Sequence, residues 1–157
     1  MGATYKIPWF AAAADGANLE LLHFGPASTK AMKVRAVHVE QSSDYGDAQA
    51  EGIRLQLLKA TGTSAGGTAI TPTPDSASYA AMGGQARGGT AGSALSGATP
   101  GVVIAEGGWN VQAGWHFTPP QGSEPEIAPG ELVMLRMVTD AGDALDVEVL
   151  AEVELVG

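Results

Sequence analysis

The sequence contains no cysteine, so no disulfide, thiolate metal site or cysteine nucleophile exists. Basic residues are also scarce, with 8 Lys and Arg against 17 Asp and Glu and a formal net charge of −9. Proteins bind nucleic acid and anionic membranes chiefly through Lys and Arg, so this balance argues against both partners. No apolar run approaches the length of about 20 residues that a membrane helix requires.

Motifs for cofactors and metals are also missing. The sequence has neither the GxGxxG nor the GxxxxGK[ST] phosphate-binding pattern, so it predicts no nucleotide cofactor. The histidines, His23, His38 and His116, lie far apart in separate predicted strands without metal-ligand spacing. We therefore expect structural histidines, no bound metal and no enzymatic centre.

Alternation of apolar and polar residues dominates what is present. In residues 145–155 the apolar side chains fall on one face and four acids on the other, with Leu150 as the only apolar exception, which predicts a half-buried strand. Residues 131–139 are apolar on both faces, apart from Arg136, which is typical of a central strand. Residues 32–41 change phase between Ala36 and Val37, which indicates a bulge.

Further strands are predicted at residues 4–10, 18–24, 53–59 and 109–117. Helical periodicity is almost absent. The 157 residues are thus expected to form one all-β domain, an antiparallel and jelly-roll-like β-sandwich.

Residues 61–108 are interpreted as a long Gly-rich insertion loop. Between residues 61 and 100 the only charged residues are Asp75 and Arg87, and the remainder is mostly Gly, Ala, Ser and Thr. A loop of this length is unusual inside a compact domain. It is either a flexible excursion or a segment ordered by a neighbouring subunit, and the low charge favours the second interpretation.

Residues 1–14 are apolar and carry several aromatics. They form either a first strand packed into the sandwich or an extended arm that docks on a neighbour, and Pro8 favours an edge position. A compact monomer rarely exposes such a segment. The candidate partner-binding residues are taken from this segment and from the loop: Tyr5, Ile7, Trp9, Phe10, Ile70, Tyr79, Met82 and Arg87.

Two local patterns have simple alternatives. Residues 62–66 (GTSAG) match the G-x-S-x-G nucleophile motif around Ser64, but no helix is predicted after the serine, as that motif requires. Acidic residues cluster at 44–51 and 140–146, where they can bind calcium or supply ordinary turn residues. We favour the simple interpretation in both cases.

Several segments carry a resemblance to a known family. Residues 41–57 (QSSDYGDAQAEGIRLQL) and 71–74 (TPTP), followed by 109–112 (WNVQ), 118–120 (TPP) and 127–132 (IAPGEL), resemble small virion proteins of tailed bacteriophages. The similarity covers most of the chain beyond about Ala36. It implies a capsid decoration (cement) protein, which would form trimers on the shell, and it brings no catalytic residues.

These observations predict a structural virion protein, synthesised in the host cytoplasm, that binds its own copies and the major capsid protein. Three alternatives remain open. The chain can be a tail, baseplate or head-fibre module, a carbohydrate- or receptor-binding module using exposed Trp109 or Trp115, or a hydrolase using Ser64.

Overall fold

The computed structural model describes residues 2–43, 52–110, 112–140 and 142–157. Two antiparallel sheets pack face to face, so the predicted all-β sandwich is confirmed. In chain order the strands are β1 (Thr4–Ala14), β2 (Leu19–Gly25), β3 (Ala31–Gln41), β4 (Gly52–Gly66), β5 (Thr68–Ala69), β6 (Thr73–Pro74), β7 (Gln85–Gly88), β8 (Leu95–Asn110), β9 (Trp115–Phe117), β10 (Glu126–Ile127), β11 (Glu131–Met137) and β12 (Leu145–Val156).

The first sheet has the order β10-β3-β12-β1-β6, with β9 also paired to β3. In β12 the residues from Val147 to Leu155 alternate strictly, and the odd-numbered side chains are buried, as their period predicts. The bulge expected in β3 is present, because Arg35 has no partner in β12 between Val34 and Ala36. Ala36 and Val37 are consequently both buried.

The second sheet has the order β5-β7-β2-β11-β4-β8. Strand β11 lies between β2 and β4, which explains why its sequence is apolar on both faces. Val133 and Leu135 join the core between the sheets, whereas Leu132 and Met134 form a smaller cluster on the opposite face with Leu58, Ala60 and the partly buried Ala98.

The core between the sheets contains Trp109, the largest of the fully buried side chains. The prediction of a single strand over residues 109–117 is wrong. Trp109 lies at the end of β8 in the second sheet, whereas Trp115 begins β9 in the first sheet. The alternation spans both segments because each strand buries one face in the same core.

The interpretation of residues 61–108 as an insertion loop is corrected, since this range contains the end of β4, all of β5, β6 and β7, and most of β8. Strand β4 pairs with β11 only as far as Thr61. Beyond it the chain crosses to the opposite edge of the same sheet, where β5 pairs with β7. Small residues make this possible: a side chain at Gly62 would overlap the carbonyl oxygen of Gly97. The low charge therefore reflects close packing within the chain.

Candidate functional site

The proposed N-terminal arm is β1, which pairs with β12 along most of its length and with β6 near its start. Tyr5 and Ile7 are buried in the core, and the Tyr5 hydroxyl donates to the carbonyl oxygen of Ala80 at 2.6 Å. Alternating apolar residues make a strand with one buried face, so the interpretation as an arm is corrected.

Trp9 and Phe10, the remaining candidates of β1, point in different directions. Trp9 packs inward on Gly88, where a Cβ atom would overlap the indole ring, and its Nε1 donates to the carbonyl oxygen of Gly89 at 3.2 Å. Phe10 is 49% exposed on the outer face. Of the four N-terminal candidates, only Phe10 presents a largely exposed side chain to a partner.

The candidates from the supposed loop are also divided. Met82 is buried, and Ile70 is partly buried against the core. Arg87 is half-buried and donates through Nε to the carbonyl oxygen of Gly66 at 2.6 Å, so it stabilises the crossing segment. Tyr79 is exposed. Met82 is thus corrected as an interface residue because its side chain is buried, whereas Ile70, Arg87 and Tyr79 stay predictions.

The free edge of β8 was not identified from the sequence. Strand β8 is the last strand of its sheet, and among the described residues no strand pairs with its outer edge. Val102 and Val103 are 72% and 44% exposed there. The signal was present in the sequence as an uncharged run at residues 101–105, but only the strand order reveals that it lies at an edge.

A buried polar chain links Ser64, His23 and Glu20. Ser64 Oγ lies 2.9 Å from His23 Nδ1, and Glu20 Oε2 lies 2.9 Å from His23 Nε2. Despite their short separation, neither atom of the second contact has a hydrogen-bond partner. Burial lowers the pKa of His23 to about 4, so the imidazole is neutral at pH 7.

A bulge in β2 creates this arrangement. Residues three apart in a regular strand face opposite sides, yet Glu20 and His23 share one face. Leu21 has no partner in β11 between Glu20 and Leu22. This extra residue shifts the alternation by one position, so that Glu20 and His23 lie on the same face. Burial raises the pKa of Glu20, and the nearby Arg136 opposes that rise.

The same face continues as a row of polar side chains across four strands. Arg136 donates through Nε to Gln56 Oε1 at 2.9 Å, and the Gln56 amide donates to Glu106. Arg54, two residues before Gln56 on β4, also pairs with Glu106. These hydrogen bonds, chiefly from Gln56 and Arg54, lower the pKa of Glu106. The row links β2, β11, β4 and β8.

The contacts of Ser64 bear directly on catalysis. A nucleophilic serine requires a base within reach and a third group that orients the base through a hydrogen bond. His23 lies within reach of Ser64, but Glu20 lies close to His23 without a hydrogen bond to it. However, Ser64 is only 8% exposed, and its backbone N–H donates to Gln85 Oε1 at 2.8 Å instead of facing an oxyanion. The hydrogen bonds of Ser64 to His23 and Gln85 attach the crossing segment to β2 and β7.

The outer face of the first sheet holds an open groove. Pro8, Leu150, His38 and His116 form one row across β1, β12, β3 and β9. In the next row, Phe10 on β1 is the neighbour of Glu148 on β12, which in turn pairs with Glu40 on β3. These acids, Glu40 and Glu148, line the groove together with Pro8, Trp9, Phe10, His38, Val149 and Leu150.

Of the two acidic clusters noted in the sequence, the structure describes residues 140 and 142–146 but not residues 44–51. Among the described residues, no group of three or more His, Cys, Asp or Glu is arranged to hold a metal ion. Asp140 and Asp146 instead accept hydrogen bonds from the backbone N–H groups of Gly16 and Ala13, both at 2.9 Å. The acidic cluster at 44–51 lies outside the described residues.

Comparison with known proteins finds no family model, no curated protein and no solved structure that matches the chain. No helix long and apolar enough to span a membrane occurs in the part of the chain that the structure describes. The case for a function therefore depends on the chain's own residues.

Proposed function

We propose that this protein is a non-enzymatic structural subunit that binds the outside of a tailed-phage capsid and stabilises the shell through contacts between subunits. The free edge of β8 is the observation that carries the proposal. The proposed partners are other copies of the chain, as a homotrimer, and the major capsid protein.

Edge strands of soluble monomers are normally protected by charge, proline or a covering element. In β8 a proline protects only one point, Pro100, and the only charged residue, Glu106, is paired with Arg54 and Gln56. Between them lie Gly101–Ala105, which include the exposed Val102 and Val103. Such a segment is suited to pairing with a strand of another chain.

The stabilising effect would follow from mass action. A subunit that binds the assembled shell more tightly than its free components shifts the equilibrium away from disassembly. Many modest contacts suffice for this purpose, which agrees with a surface of scattered apolar residues such as Phe10 and Tyr79.

The test introduces lysine into the edge, since a charge there opposes strand pairing. We expect the wild type to be trimeric in light scattering and to sediment with purified phage shells. Val102→Lys and Val103→Lys should reduce both properties, whereas Gln121→Lys, at an exposed turn position, should change neither. A wild type that stays monomeric at high concentration and ignores shells would refute the proposal.

Two other candidates can be separated by experiment. Binding to purified tails or baseplates instead of heads would favour a tail module. The contact between Ser64 and His23 favours a hydrolase, and labelling by a serine-directed phosphonate that Ser64→Ala abolishes would establish it. Absence of labelling is expected. Glycan stacking on Trp109 is not proposed, because this ring is fully buried.

A further inference from the structure

On the outer face of the first sheet, His38, which lines the groove, contacts His116 on the neighbouring strand. Their Nδ1 atoms lie 2.6 Å apart, and the two rings meet edge to face with centroids 4.7 Å apart. They are direct partners in the antiparallel pairing of β3 and β9, so the backbone holds them together. His116 is exposed and His38 half-buried, which leaves the pair accessible from solvent.

Two facing imidazole nitrogens at this distance require a positive group between them. Without a metal, one ring donates its Nδ1–H to the lone pair of the other. We propose that His38 and His116 form a binding site for one divalent transition-metal ion of the zinc, nickel or copper class. The ion replaces the shared proton, and the donor ring changes to its Nε2–H tautomer, so both rings stay neutral.

The geometry fits this chemistry. Imidazole is a preferred ligand of zinc, copper and nickel. Two nitrogens bound to one tetrahedral zinc, each at about 2.0–2.1 Å, are separated by roughly 3.3 Å. Rotation of the exposed His116 ring that moves its Nδ1 atom by about 0.7 Å away from the present 2.6 Å provides this opening. Two protein ligands leave the remaining coordination positions to water.

The electrostatic surroundings also favour a cation. Glu40 and Glu148 line the same groove as His38. The nearest cation along β3 is Arg35, which is engaged with Glu124 and Glu154. A divalent ion therefore enters a groove whose neighbouring charges are negative.

The experiment uses the full-length chain without an affinity tag, because polyhistidine would bind the same ions. Calorimetric titration with Zn²⁺ and Ni²⁺ should give one site per chain, with no binding of Mg²⁺, which prefers oxygen ligands. His38→Ala and His116→Ala should each abolish that site, whereas Lys6→Ala, an exposed change on the same face, should preserve it. Equal binding by the wild type and both histidine variants would overturn the proposal, as would absence of binding.

Circular dichroism will show whether each histidine variant is folded. If one is not, a second measurement, by NMR, uses the wild type alone. Added Ni²⁺ is paramagnetic, so in the wild type it should broaden the ring signals of His38 and His116 before that of His23, which is buried in the other sheet. Broadening that starts elsewhere in the chain would overturn the assignment. Neither measurement depends on the proposed role in capsids.

Discussion

The burial of His23 has a measurable effect on the stability of the fold in mild acid. An unfolded histidine titrates near 6.5, whereas burial lowers the pKa of His23 to about 4 in the folded chain. Between these values the unfolded chain binds a proton that the folded chain does not. Stability is therefore unaffected by this group above pH 6.5 and decreases as the pH falls towards 4.

The magnitude follows from the difference between the two pKa values. At about 1.4 kcal/mol per pH unit, the full loss is about 3 kcal/mol near pH 4, and about 2 kcal/mol is lost by pH 5. Glu20 opposes part of this loss, because its pKa is raised and its protonation on acidification relieves the cost of burying a charge. A loss of this size is a large fraction of the stability of a typical domain.

The assay is urea denaturation of the wild type and of His23→Gln at several pH values between 7.5 and 4.5. Glutamine retains a hydrogen-bonding group for Ser64 but does not titrate, so the variant should show a flatter dependence of unfolding free energy on pH. Titrating groups remote from His23 are common to both proteins and cancel in the comparison, whereas the contribution of Glu20, 2.9 Å from His23, cancels only in part. Parallel curves for the two proteins would refute the reasoning, whatever their absolute stabilities.

Three further outcomes are expected from the packing. Trp109→Ala should destabilise the fold by about 3–5 kcal/mol in chemical denaturation, and a loss below about 1 kcal/mol would contradict its place in the core. Gly88→Ala should cost about 1–3 kcal/mol by displacing the ring of Trp9, whereas Gly92→Ala, with open space around it, should change stability by less than about 0.5 kcal/mol. Deletion of residues 1–14 should abolish the folded circular dichroism spectrum, because it removes β1; a folded truncated chain would restore the arm interpretation.

Local periodicity alone was sufficient for the strands whose two faces differ in environment. The buried face of β12 and the bulge of β3 follow from side chains that alternate every second residue. The central position of β11 follows from the absence of this alternation, because β11 is apolar on both faces. The sandwich class also follows from the sequence, because such strands must bury their apolar faces against another sheet.

Tertiary structure alone decided which strands are neighbours, and the candidate sites depend on that order. The pairs His38 with His116 and Ser64 with His23 are separated by 78 and 41 residues, so no local pattern relates them. The Gly-rich segment was misjudged because its small side chains indicate both loops and close packing. Only the neighbouring strands show whether small residues mean a loop or close packing. The close approach of Gly62 to the backbone of Gly97 exists only in the assembled sheet.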